Sequence, residues 1–180
     1  MKTRLFKKIM TGILSAAMVL SMGMTAFADN GTTGTGSITI SNAYKGQEYS
    51  IYKVFDFEVA GDNGVYKVSK DFSTFRDPSL FTVDANDYVT VALAKDASDT
   101  EKDTWAKKFA ADALKYAKTN NIAAITKTAP GKGDENPKTT SLTFDGLSYG
   151  YYITDSTVGA ALLLNTVSDK ISITEKNNIP

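Results

Sequence analysis

Residues 48–68, EYSIYKVFDFEVAGDNGVYKV, decide how the rest of the chain is read. Tyr49, Ile51, Phe55, Phe57 and Val59 share one parity, with Tyr52 and Val54 on the other. A period of two with aromatic and β-branched residues predicts a long strand. GDNG, Gly61 to Gly64, reads as a hairpin turn, since Asn-Gly accepts the positive φ values that tight turns need. VYKV then returns from it.

The same alternation recurs on both sides. Upstream, SITIS pairs Ile38 with Ile40; downstream come LFTV, DYVTVALA, SLTF, YGYYITD, VGAALLL and KISIT. One segment breaks the period. Ser98-Asp-Thr-Glu101 is a capping box, and Trp105, Phe109, Ala113, Tyr116 and Ala117 follow on one helical stripe. A helix over about residues 99–119 is predicted, with Asn120-Asn121 as its stop and Trp105 as an anchor packing it on a sheet. Ala129 to Thr140 is a loop by composition. About nine strands and one helix predict a mainly β fold: an immunoglobulin-like Greek-key β-sandwich with one inserted helix.

The start of the chain is set aside from the fold. Lys2, Arg4, Lys7 and Lys8 precede a largely apolar run, Ile9 to Met24, and Ala26-Phe27-Ala28 has the small residues that a signal peptidase reads. Residues 1–28 are therefore expected to be a cleaved export signal, cut between Ala28 and Asp29. Residues 29–36, Gly/Thr-rich, read as a flexible leader, and 37–180 as the folded domain. The four basic residues of the signal carry all of its charge, so sixteen basic residues face twenty acidic ones in the remainder, a formal net charge of −4. Such a balance argues against nucleic acid and anionic membrane as partners, and no membrane is expected to be engaged by the mature domain.

Cysteine and histidine are both absent. Disulfides, histidine-activated nucleophiles and histidine-ligated metals are thereby excluded. No pair of carboxylates stands out at a catalytic spacing. The chain reads as a non-enzyme with no cofactor.

Three stretches together, YSIYKVFDF (49–57), LTFDGLSYGYYITDS (142–156) and ISITEKN (171–177), resemble the N-terminal domain of the sortase-polymerised backbone pilins of Gram-positive bacteria. The resemblance covers Ser37 to Pro180 and implies an exported structural subunit of a pilus on the cell wall, with neighbouring subunits and a sortase as partners. It also implies that further domains follow residue 180. Two covalent chemistries come with it: a pilin-motif lysine that accepts the sortase-bound acyl group, and a buried lysine–asparagine isopeptide bond assisted by a carboxylate.

Alternation tests how those roles fall on this chain. With Ile171 and Ile173 facing the core, Glu175 and Asn177 point inward and Lys176 outward. Lys176 is then the sortase acceptor and Asn177 the isopeptide acceptor, although Thr174-Glu175 stands where the family has Tyr-Pro. Lys53 shares parity with Ile51 and Phe55 and is the isopeptide donor, where burial would favour the neutral amine; the alternative is an edge lysine whose head reaches water. Asp155 is the candidate proton shuttle, on parity with Tyr151 and Ile153. Another registration puts Ser156 there, with Glu175 a weaker substitute and Asn165 a weaker acceptor. A second function stays open: an adhesin or ligand-binding module for host surface ligands, presenting Tyr44, Tyr49, Tyr52, Tyr149, Tyr151 and Tyr152.

Overall fold

The structure, a computed structural model, describes residues 35–60, 63–155, 161–164 and 169–174. Its strands are β1 (Thr35–Tyr44), β2 (Glu48–Ala60), β3 (Asn63–Val68), β4 (Phe81–Val83), β5 (Val89–Val91), β6 (Ile125–Thr128), β7 (Thr139–Ser148), β8 (Gly150–Thr154), β9 (Ala161–Leu164) and β10 (Lys170–Thr174), with one helix, α1 (Asp99–Thr119). The fold is mainly β, as alternation predicts: a sandwich with one inserted helix. One sheet has the order β10-β1-β7; the other runs β3-β2-β8-β9 with β6 also on β2. A β4–β5 hairpin forms a small sheet of its own.

The central strands of the five-stranded sheet, β2 and β8, are covered on both sides. Ile51, Tyr49 and Tyr152 face the other sheet and pack with Ile38, Ile40, Phe144 and Ile173. Tyr52, Val54, Phe55, Tyr151 and Ile153 face away, under Trp105 and Phe109 of α1 and Leu80 and Phe81. That explains why β2 is apolar on both parities: a strand buried on two faces loses the clean alternation of a half-exposed one.

The parity of β2 also breaks in the middle. Its pairing with β8 jumps from Lys53↔Tyr152 to Phe55↔Tyr151, a β-bulge at Val54. Ser69 stabilises it. Its hydroxyl donates to Lys53 O at 2.9 Å and its backbone N–H to Val54 O at 3.0 Å, which accounts for a buried serine.

Local signals of the helix act as read. Ser98 N–H donates to Glu101 Oε2 at 2.7 Å and Glu101 N–H to Ser98 Oγ at 3.3 Å, completing the capping box. Trp105, Phe109, Ala113 and Ala117 are buried, with Ala110 beside them.

Three local readings are corrected. Asn63 and Gly64 belong to β3, since its ladder with β2 runs to Ala60↔Asn63. Gly64 serves packing: a Cβ there would lie 2.5 Å from the Phe57 ring. The leader is shorter than expected, because Thr35 and Gly36 already pair with Ser148 and Leu147. The strand β6, four residues between the helix stop and the following loop, is too short for alternation to announce it.

The Tyr151 hydroxyl is buried and has no hydrogen-bond partner among the described residues. Burial pushes its phenol well above the ordinary value of 10.0. An unsatisfied buried hydroxyl costs free energy that a phenyl ring does not, so Tyr151→Phe is expected to stabilise the fold by about 1 kcal/mol. A raised denaturant midpoint is the readout; a lowered one would show that the hydroxyl has a partner.

Candidate functional site around Lys53

Lys53 projects from the bulged part of β2 toward the corner where the chain passes from β7 to β8. Its Nζ donates to Ser148 Oγ at 2.8 Å and forms an ion pair with Asp56. The bulge puts Asp56 within reach: two residues that would point to opposite faces of a regular strand converge here on one amine. The Lys53 stem runs over Gly150, where a Cβ would come within 2.5 Å of Lys53 Cε and 2.4 Å of Phe55 O.

Tyr152 completes the arrangement. Its hydroxyl donates to Ser148 O at 2.7 Å, four residues upstream, as tyrosines do at sheet-to-sheet corners of immunoglobulin-type sandwiches. Burial pushes the phenol above 10.0, so it remains a protonated donor at neutral pH. Ser148 is thus held twice, by its hydroxyl from Lys53 and by its carbonyl from Tyr152. The site fastens the β7–β8 corner to β2.

This differs from the expected arrangement. The Lys53 side chain is 23 % exposed and its carboxylate partner Asp56 43 %. The amine keeps contact with solvent and a carboxylate partner, where a dry, enclosed isopeptide donor was expected. Asp155 is not its partner. The residue sits on the helix-facing parity of β8, opposite Ser50 rather than Lys53, with its backbone N–H donating to Ser50 O at 2.9 Å. Its carboxylate pairs with Lys118 at the end of α1 at 3.2 Å. The proton-shuttle assignment is therefore corrected: the bulge turned Lys53 and Asp155 to different faces.

The direction of β10 matters as well. Lys170 lies beside Ser37 and Thr174 beside Ser41, while Ser148, next to the Lys53 amine, pairs with Thr35. From Lys170 to Thr174 the chain thus moves away from Lys53. Ala28, Asp29, Ser156, Asn165, Glu175, Lys176 and Asn177 lie outside the described residues.

The other candidates resolve into packing. Trp105 donates its indole N–H to Leu80 O at 2.8 Å and stacks on Phe109, 5.1 Å between centroids and 9° between planes. It is the anchor expected of it. A groove of about 300 Å³ runs beside it, lined partly by Glu101, Thr104 and Lys108. These polar groups are already engaged, Glu101 with Ser98, Thr104 with Thr100 O, and Lys108 with Asp77 and Asp112. Of the tyrosines, Tyr49, Tyr52, Tyr151 and Tyr152 are buried and belong to the two cores; Tyr44 and Tyr149 are half-buried. Among the described residues no cluster of histidine, cysteine or carboxylates could hold a metal, and no helix is long and apolar enough to cross a membrane.

Asp56 and Ser148 escaped the sequence reading. Only a bulge joins them to Lys53, and no residue type announces one.

No protein-family profile and no curated protein matches the chain.

Proposed function

We propose that this chain is a structural subunit of a cell-surface pilus of a Gram-positive bacterium, joined to its neighbours by a sortase through Lys176. One observation carries the reading beyond the sequence resemblance. Strands β1 and β10 lie side by side and run the same way, so Thr35 and Thr174 stand at opposite ends of the outer sheet. Six residue steps along β1 separate their levels, about 20 Å. A domain entered at one pole and left toward the other suits a linear shaft. The internal Lys53–Asn177 amide is not part of this proposal, because Lys53 is engaged by Asp56 and Ser148.

The test is made on the bacterium that carries the gene. Surface extracts boiled in detergent and probed for this chain are expected to show a ladder of covalent multimers. Lys176→Arg keeps the charge but removes the nucleophilic amine, and should collapse the ladder to monomer. A ladder that persists would assign the linkage to another amine. Monomer alone in the parent strain would remove the pilus reading.

A further inference from the structure

Strands β1 and β10, at the two ends of the described chain, are parallel neighbours through five consecutive register pairs, Ser37↔Lys170 to Ser41↔Thr174. Ser37 N–H donates to Asp169 O at 2.8 Å at one end, and the Ser41 and Ser172 hydroxyls lie 3.2 Å apart near the other. Beneath the ladder Ile38, Ile40 and Ile173 are buried in one core. On its other flank β1 is held by β7, antiparallel, from Thr35↔Ser148 to Tyr44↔Thr139.

Strand direction determines how such a ladder meets force. Tension between Thr35 and Thr174 draws β1 one way and β10 the other, along their common axis. All the hydrogen bonds between them then share the load and must yield together. In the antiparallel β1–β7 pair, pulling the two adjacent ends at one pole apart would break the bonds one after another. Release of β1 in the axial direction also requires it to slide past β7.

We propose that the β1–β10 ladder is a mechanical shear clamp, and that the domain resists tension applied between Thr35 and Thr174 much better than peeling. This follows from strand direction and register alone, and it holds whether or not a sortase joins the chain to others.

The absence of cysteine makes the test direct, since any introduced pair is unique. Thr35→Cys with Thr174→Cys gives handles for axial pulling of the full chain. Lys45→Cys with Lys138→Cys gives handles for peeling β1 from β7, because Lys45 N–H donates to Lys138 O at 3.0 Å at that end. Should the second pair fail to melt like the parent, Thr35→Cys with Ser148→Cys peels the same two strands from the opposite end. In single-molecule pulling at one rate, the axial pair is expected to rupture at a force several-fold above the peeling pair. Equal forces, or a weaker axial pair, would overturn the clamp. Intact mass of the same sample gives the second readout. The expected mass is unshortened; a mass short by one ammonia would place the resistance in an internal amide bond and overturn the proposal equally.

Discussion

Phe109→Ala is expected to destabilise the domain by about 3–5 kcal/mol, the range for deleting a fully buried phenyl ring. Phe109 is 0 % exposed and sits where the helix enters the sheet. Its ring lies 5.1 Å from Trp105, 5.2 Å from Tyr151, 5.4 Å from Phe55 and 6.1 Å from Phe81. Those rings come from α1, β8, β2 and β4, so the cavity would open at a junction of four elements, none of which can close it alone. A loss of this size is a large share of the 5–15 kcal/mol by which domains are typically stable. Denaturant unfolding followed by circular dichroism checks it, with Lys107→Ala on the exposed helix face as a control expected to shift little. A cost below about 1 kcal/mol for Phe109→Ala would mean that the helix is only loosely docked.

Gly150→Ala is the second large effect, by overpacking instead of cavity formation. The added methyl would meet Phe55 O at 2.4 Å and Lys53 Cε at 2.5 Å. A lysine stem can swing aside, at the expense of its bond to Ser148. A carbonyl in the ladder beside the bulge cannot move without shifting β2 against β8. The expected cost is about 3 kcal/mol, at the upper end for one extra buried carbon. Thermal melting of Gly150→Ala and of Gly150→Ala combined with Lys53→Ala separates the two contacts. Partial rescue in the double variant is expected, with the backbone clash remaining. A single variant that melts with the parent would contradict the packing described at this corner.

The helix was legible almost to the residue because its signals are local: a capping box, a stripe at 3.6-residue spacing, and an asparagine stop. The β class was legible for the same reason, strand by strand. What escaped depends on tertiary structure. Alternation carried through Val54 placed Lys53 with Phe55, yet a bulge there turns them to opposite faces of the sheet, and Asp155 ended at Lys118 instead of Lys53. Glycine was misread at Gly64, where the vacant side-chain position admits an aromatic ring and does not make a turn. Tyrosine allowed two readings, surface contact or core, and only burial distinguishes them. The outward amine of Lys176 and inward amide of Asn177 rest on alternation past Thr174, beyond the described residues.

Central strands buried on both faces over most of their length have a consequence for anyone trimming this protein. Excising residues 99–119 to obtain a minimal sandwich would strip Trp105 and Phe109 from the cluster that holds Phe55, Tyr151 and Ile153, and open an apolar plane to water. Such a product should self-associate before it can be purified as a monomer. The inserted helix is therefore not ornament on the sandwich, and any miniaturised scaffold derived from it would have to carry the helix or repaint that plane with polar residues.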